Sequence, residues 1–290
     1  MNPIPVITSP EDDALFQQKS RAMGYDPASV WVGGYVDYQW RKLPPFLAAY
    51  GIEAAGKDVL EFGSNVGGSA IVFACLGANV TAVDVSADWI ALSLMNARRY
   101  GFPLVEGGTP LPPTYQDAAP TAQRPPFSTA SLKFLHVPDT RRLPFPDDAF
   151  DLINCASVLE CVPCFMLADV QRELDRVLKP GGVVVVTGTS NRLWPREVHS
   201  RSWWVNYVPR FLDRFRSRSW DRGVWPWTIR YGFGPGYRNL DAGNRGRRFL
   251  AARAGVPGGM NRRLAVIAAG VPGIGPGMLA HSLSCVLRKG

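Results

Sequence analysis

Residues 59–70 read VLEFGSNVGGSA: an apolar run, a glycine turn and the start of a helical pattern. Gly63 and Gly67 let backbone come close to a ligand, and a helix starting there points unpaired N–H groups at it. Asp84 closes the next apolar run, 21 residues after Gly63. That spacing puts a carboxylate where ribose hydroxyls sit in Rossmann-like sites. A tight turn before an ordinary helix is the bland reading of the same glycines. The dinucleotide pattern G-x-G-x-x-G is not met, because Asn65 stands at its third position and Glu61 precedes the first glycine. Glu61 would repel a pyrophosphate and attract a cationic ligand. Asn65 tolerates left-handed backbone, so the turn survives the change.

A second stretch with chemical potential is NRLWPREVHSRSWWVNYVPRFLDRF, 191–215. His199 titrates near neutrality and can take a proton from a hydroxyl, with Glu197 to orient it. Alternatively both polar groups only tie this segment to the core. His136, inside an apolar run, is expected to be structural. Cys161-x-x-Cys164 has no second pair and no histidine cluster beside it, so no metal site is expected. Buried, inert thiols are the default for Cys155, Cys161 and Cys164.

The elements that must position these residues alternate. Helices are expected near 11–22 and 36–50, then strand 57–62, helix 66–77, strand 79–84 and helix 86–100. After a Pro- and Thr-rich loop, 102–131, come strands 132–137 and 150–155, helix 165–178 and strand 183–188. Segments 263–269 and 282–288 read as two late strands. Strand–helix alternation means an α/β fold with a doubly wound sheet, here of seven strands. LKPGG, 178–182, reads as a helix-to-strand turn.

Composition supports a globular, reduced protein. Of 290 residues 46% are hydrophobic and 19% charged, which suits a large core. Five cysteines do not make a disulfide scaffold, and no basic start leads into an apolar run, so a cytoplasmic location is expected. The longest stretch without charged residues, 264–287, is cut by Pro272, Pro276 and several glycines, which argues against a membrane span. The net charge of +8 is uneven. Residues 1–189 hold 14 basic and 20 acidic side chains, whereas 190–290 hold 18 and 4, and six of nine tryptophans lie in 194–227. A basic, aromatic last third suits an anionic partner. Arginine-rich composition alone is the competing explanation.

With DTRRLPFPDDAFDLINCASVLECV (139–162) and LKPGGVVVVTG (178–188) added, the chain over 57–189 resembles the class I S-adenosylmethionine-dependent methyltransferases. It is most similar to the small-molecule branch that includes ubiquinone and sterol methyltransferases. The resemblance implies a Rossmann-like seven-stranded fold and S-adenosyl-L-methionine as cofactor, a sulfonium without phosphate. It places Glu61, Gly63, Ser64, Asn65 and Gly67 around the methionine part, and Asp84 with Val85 at the ribose. Asp139 and Thr140 fall beside the adenine, with Asn154 and Ala156 where cofactor meets acceptor. Many relatives have Glu-His-Val where this chain has Glu160-Cys161-Val162. A histidine at that place cannot assist here.

The resemblance also implies a domain layout. Residues 1–50 form an N-terminal helical lid, with Tyr35 and Tyr38 facing the acceptor or simply packing a helix on the sheet. Residues 51–290 form the methyltransferase domain, with the 102–131 insert and a substrate-lid insertion over 190–262. The 191–215 segment resembles a bacterial subgroup in which Trp194, Glu197, His199 and Trp204 belong to that lid. The implied activity is methylation of a small-molecule acceptor, foremost at oxygen, on a glycan, lipid-linked or secondary-metabolite substrate. N- or C-methylation of a metabolite stays open, as does RNA methylation through the basic aromatic region. RNA is less favoured, because NCAS (154–157) is not the Asn/Asp-Pro-Pro-aromatic motif of base-amine enzymes. No specific nucleic acid and no metal are expected. An anionic acceptor or a peripheral membrane contact suits the arginines. A non-catalytic cofactor-binding scaffold is the remaining alternative.

Overall fold

The computed structural model describes residues 9–102, 104–105, 109–110, 131–209, 222–242, 246–253, 263, 266–268, 271 and 273–290. Expectations for the rest of the 102–131 insert and of the 190–262 segment lie outside them. The chain divides into two compact units, Met1–Leu143 with Phe150–Leu152, and Pro144–Ala149 with Ile153–Gly290.

In the first unit α1 (Pro10–Ala22) starts where sequence rules place it. The Ser9 hydroxyl accepts from Asp12 N at 3.2 Å, Pro10 sits at the first position, and three acids fill the first turn. α2 (Tyr35–Tyr50) ends on Gly51, whose φ of 65° is left-handed. Then follow β1 (Asp58–Phe62), α3 (Gly68–Cys75), β2 (Asn79–Asp84) and α4 (Ala87–Arg99). Every residue of α3 is buried, as its all-round apolar sequence GSAIVFAC requires. Inside the stretch read as a plain loop, β3 (Leu104–Val105) and β4 (Thr109–Pro110) pair antiparallel. β5 (Leu132–His136) runs parallel to β2, which runs parallel to β1.

Three ion pairs join α1 to α4: Lys19–Asp88, Arg98–Asp12 and Arg99–Asp13. Such partly exposed pairs contribute about 0–1 kcal/mol each. The fully buried Phe16, packed with Val32, Val66 and Leu92, contributes about 2–3 kcal/mol by itself. Packing therefore seats α1, and the charges set its register.

β6 (Phe150–Ala156) begins in the first unit and ends in the second. α5 (Leu167–Val177) buries Leu167, Val170, Gln171, Leu174 and Val177 at helical spacing. β7 (Leu178–Ser190), α6 (Pro226–Gly232), β8 (Tyr237–Asn239), α7 (Arg247–Ala252) and β9 (Ser282–Lys289) follow. The sheet has seven strands in the order β5-β2-β1-β6-β7-β9-β8 and is mostly parallel. β9 is antiparallel to β7 and β8. No helix among the described residues is long and apolar enough to cross a membrane.

Two strand expectations need correction. The 263–269 run is not the seventh strand, since Val266–Ala268 are helical. The seventh strand is β8, inside the stretch read as an insertion. β7 also reaches back through LKPGG to Leu178, with Gly181 at a φ of 75° where a turn was expected.

Asn191, fully buried just past β7, holds the second unit together. Its amide donates to Met278 O at 2.9 Å and to Ala280 O at 2.7 Å, and its Oδ1 accepts from Leu193 N at 3.0 Å. Asn191→Ala leaves these backbone groups unpaired and should destabilise the chain by about 3 kcal/mol, read as a fall in the urea midpoint. An unchanged midpoint would refute this role.

Candidate active site

β1 ends in a left-handed turn. Gly63, Asn65 and Gly67 have φ of 80°, 48° and 77°. The amides of Gly63 and Ser64 both donate to Val83 O at 2.9 Å, which draws the loop toward the end of β2. Asp84 completes the link: Oδ2 accepts from Asn65 N and Oδ1 from Ser86 N, each at 2.9 Å. α4 holds the other side, with Ser93 Oγ donating to Asn65 O at 2.6 Å and Asn96 Nδ2 to Val66 O at 2.9 Å.

Burial raises the Asp84 pKa above the ordinary aspartate value, and the amides of Ser86, Asn65 and Val85 only partly offset it. Glu61 is buried in β1 just before the turn. The Ser64 hydroxyl is buried with no hydrogen-bond partner among the described residues. Buried polar atoms are nearly always partnered, so this one points to a ligand. S-adenosyl-L-methionine fits this set: a cationic end for Glu61, hydroxyls for Asp84, and no phosphate to meet either carboxylate.

Other expected cofactor residues lie at neighbouring positions. Val85 is exposed directly after Asp84, and its carbonyl meets His136 Nε2 at 3.1 Å. Thr140 is buried. Asp139 is exposed and gripped by Arg141, whose Nε and Nη2 donate at 2.9 and 2.8 Å. That guanidinium holds the Asp139 carboxyl down at about 2. Tyr35 lies against the start of α3, where a Cβ on Gly68 would stand 2.4 Å from its ring. Its hydroxyl accepts from Gln39 Nε2 at 2.7 Å, and its ring stacks with Tyr38 at 6.0 Å.

In the second unit Asn154 is buried on β6 and Ala156 ends that strand. A side-chain pair links the loop after β6 to the segment after β7. His199 Nε2 lies 2.8 Å from Glu160 Oε1. Glu160 is itself buried and accepts from Ser190 N at 3.1 Å. A carboxylate only accepts, so Nε2 is the donor and Nδ1 the basic nitrogen.

This corrects the expectation that Glu197 orients the imidazole. Glu197 is fully buried and serves the backbone of the same turn. Burial opposes its charge. The amides of His199 and Ser200 and the hydroxyls of Ser190 and Ser200 outweigh that and keep its pKa low. Glu160 was visible in the sequence only as the first residue of Glu160-Cys161-Val162. Nothing local linked it to a histidine 39 positions later.

The tryptophans divide. Trp194 Nε1 donates to Leu279 O at 2.9 Å and its ring meets His281 edge-on at 5.6 Å, so it braces the short helix Pro276–Leu279. Trp204 stands out into solvent. Among the cysteines, Cys155 is buried as expected, but Cys161 and Cys164 are exposed. Among the described residues no cluster of His, Cys, Asp or Glu could hold a metal.

A family model described as a methyltransferase domain matches residues 60–186. The demethylmenaquinone methyltransferase of Staphylococcus aureus (strain JH9) is 30% identical over 113 residues, 39% of this chain and 45% of that protein. The chain thus spans less than half the length of the curated relatives it matches. Among solved structures, a Galdieria sulphuraria protein assigned as a sarcosine dimethylglycine methyltransferase is 15% identical. The match covers 96% of this chain and 98% of that one, with a TM-score of 0.51. It shares the fold. An S-adenosylmethionine-dependent methyltransferase from Mesorhizobium loti matches at 17% identity over 84% of this chain and 96% of that one, TM-score 0.46. Residues 60–186 of this chain thus match a methyltransferase domain, and the cofactor such a domain takes is S-adenosyl-L-methionine.

Proposed function

We propose that the chain methylates a small-molecule acceptor at oxygen. The observation that carries this reading is the buried Glu160 carboxylate 2.8 Å from His199 Nε2. The cofactor supplies an electrophilic methyl group on a sulfonium. An amine or thiolate attacks such a methyl without help, whereas an alcohol must lose its proton. His199 Nδ1 takes that proton, and Glu160 balances the imidazolium that results. Glu160 is a positioning residue, because it acts through the imidazole. Glu197 keeps the turn in place through the amides of His199 and Ser200.

The acceptor classes this suits are glycans, lipid-linked intermediates and secondary metabolites bearing a hydroxyl. The name of the Staphylococcus aureus relative adds demethylmenaquinone to any acceptor screen. Arginine-rich composition after residue 190 supports an acceptor with phosphate or carboxylate groups. Transfer of a labelled methyl group to a panel of hydroxyl acceptors tests the activity directly.

Two sets of variants test the assigned roles. Asp84→Asn should weaken S-adenosylmethionine binding by about 10–100-fold, as expected for a lost charged hydrogen bond. The sign of its pH dependence follows from the raised pKa of Asp84. As pH falls, Asp84 takes up a proton at a higher pH than an ordinary aspartate and stops accepting at both oxygens. Wild-type affinity should therefore drop earlier on acidification than for an exposed carboxylate, and the Asn variant should lose that drop. Calorimetry across pH reads both, and an identical pH profile in the two proteins would sink the assignment.

His199→Ala should lower kcat by about 10²–10⁴-fold on a hydroxyl acceptor and leave cofactor affinity unchanged. Glu160→Gln should move the acid limb of the kcat/KM profile to lower pH, since the imidazolium loses its counter-charge. Wild-type kcat for His199→Ala at all pH values would exclude the base role.

A further inference from the structure

The turn after β7 exposes large aromatic side chains on a rigid backbone. Trp203 and Trp204 are each 62% exposed, and Tyr207 stands beside them, half out. Trp204 has a φ of 64° and Arg201 a φ of 56°, left-handed values that bulky residues rarely adopt. Strain of that kind persists only where surroundings enforce it, and it clusters at functional segments.

The enforcing contacts are clear. Glu197 N donates to Ser202 O at 2.9 Å, Trp204 N to Pro195 O, and Tyr207 N to Trp204 O at 3.0 Å. The buried Asn206 donates to Trp194 O at 2.7 Å and accepts from Gly223 N at 2.8 Å. Tyr207 Oη donates to Leu193 O at 2.7 Å. The backbone is clamped inward, so the two indoles are held outward.

The charges of this turn have one sign. Arg196 and Arg201 are exposed, and the Arg196 guanidinium lies 5.8 Å from the Trp203 ring centre. The only acid between 191 and 209 is Glu197, which is fully buried. The loop after β6, joined to this turn by the Glu160–His199 bond, carries Phe165 at 79% exposure. Indoles beside arginines, with no exposed acid, match the interface of an anionic bilayer. There amphipathic rings sit at headgroup level and guanidiniums meet phosphates.

We propose that the turn 196–207 is a membrane-docking element, seating Trp203, Trp204 and Tyr207 in the headgroup layer of an anionic bilayer with Arg196 and Arg201 on lipid phosphates. The proposal does not rest on oxygen as the methylated atom, or on methyl transfer at all. Taken with the proposed function, it adds a place of action: His199 lies on the same turn, so an acceptor anchored in the bilayer would reach it from the membrane side.

Co-sedimentation of the full chain with large vesicles tests it, using phosphatidylcholine alone and phosphatidylcholine with phosphatidylglycerol. Wild type should pellet with the second and not the first, and less so as salt rises. Trp203→Ser with Trp204→Ser should lower the partition coefficient by about tenfold or more, given the apolar area withdrawn. Arg196→Gln with Arg201→Gln should remove the preference for the anionic vesicles. A thermal midpoint equal to wild type shows that each variant is folded. Failure of wild type to bind anionic vesicles would overturn the proposal, as would tryptophan variants that bind like wild type. Retention of single-stranded poly-U with the same tryptophan dependence, without vesicle binding, would overturn it in favour of a nucleic-acid surface. Because vesicle binding is read without any acceptor, it stands or falls apart from the catalytic assignment.

Discussion

The carbonyl of Val83 accepts from two consecutive amides, Gly63 N and Ser64 N, at 2.9 Å each. That shared acceptor makes the chain turn sharply off β1, and the left-handed values at Gly63, Asn65 and Gly67 follow from the turn. Asp84, one residue beyond Val83, then faces the amide of Asn65. A carboxylate, a bent backbone and a helix start are thus assembled by hydrogen bonds to backbone amides. The cost is the burial of Asp84, which shows in its raised pKa.

The second unit solves a different problem. Its candidate residues lie on long connections, which need internal hydrogen bonds to keep a shape. Three buried polar side chains supply them: Asn191, Glu197 and Asn206. Each hydrogen-bonds to backbone, while Trp203, Trp204 and Tyr207 face outward. The Glu160–His199 pair joins two such connections, so the candidate base is positioned by both.

Much of this was legible in the sequence. Alternating apolar runs gave six of the seven strands, and the glycines with Asp84 gave the left-handed turn after β1 and the carboxylate that faces it. Asn65 was correctly read as a residue able to replace glycine, since only its backbone conformation matters there. What escaped was non-local. β8 is three residues, Tyr-Arg-Asn, with an arginine at its centre, and it is a strand only because β9 lies beside it. The run 264–268 is apolar in both helical and extended readings, which periodicity cannot separate over so few residues. Glu160 and Glu197 are the same residue type near the same histidine, and only their three-dimensional placement tells which one touches the imidazole. Trp194 and Trp204 show the same limit, one bracing a short helix and the other exposed.

The absence of a Cβ at Gly68 reaches beyond the glycine turn. The Tyr35 ring occupies the space that a side chain there would fill, so the first turn of α2 rests on the first turn of α3. A movement of α2 cannot leave the cofactor loop undisturbed, and a loop made rigid by a ligand cannot leave α2 free. The two are linked by that contact, and by thermodynamic reciprocity a ligand that biased one through it would be biased by the other. A small molecule seated at Gly63–Gly67 would in this sense also be felt at the start of α2.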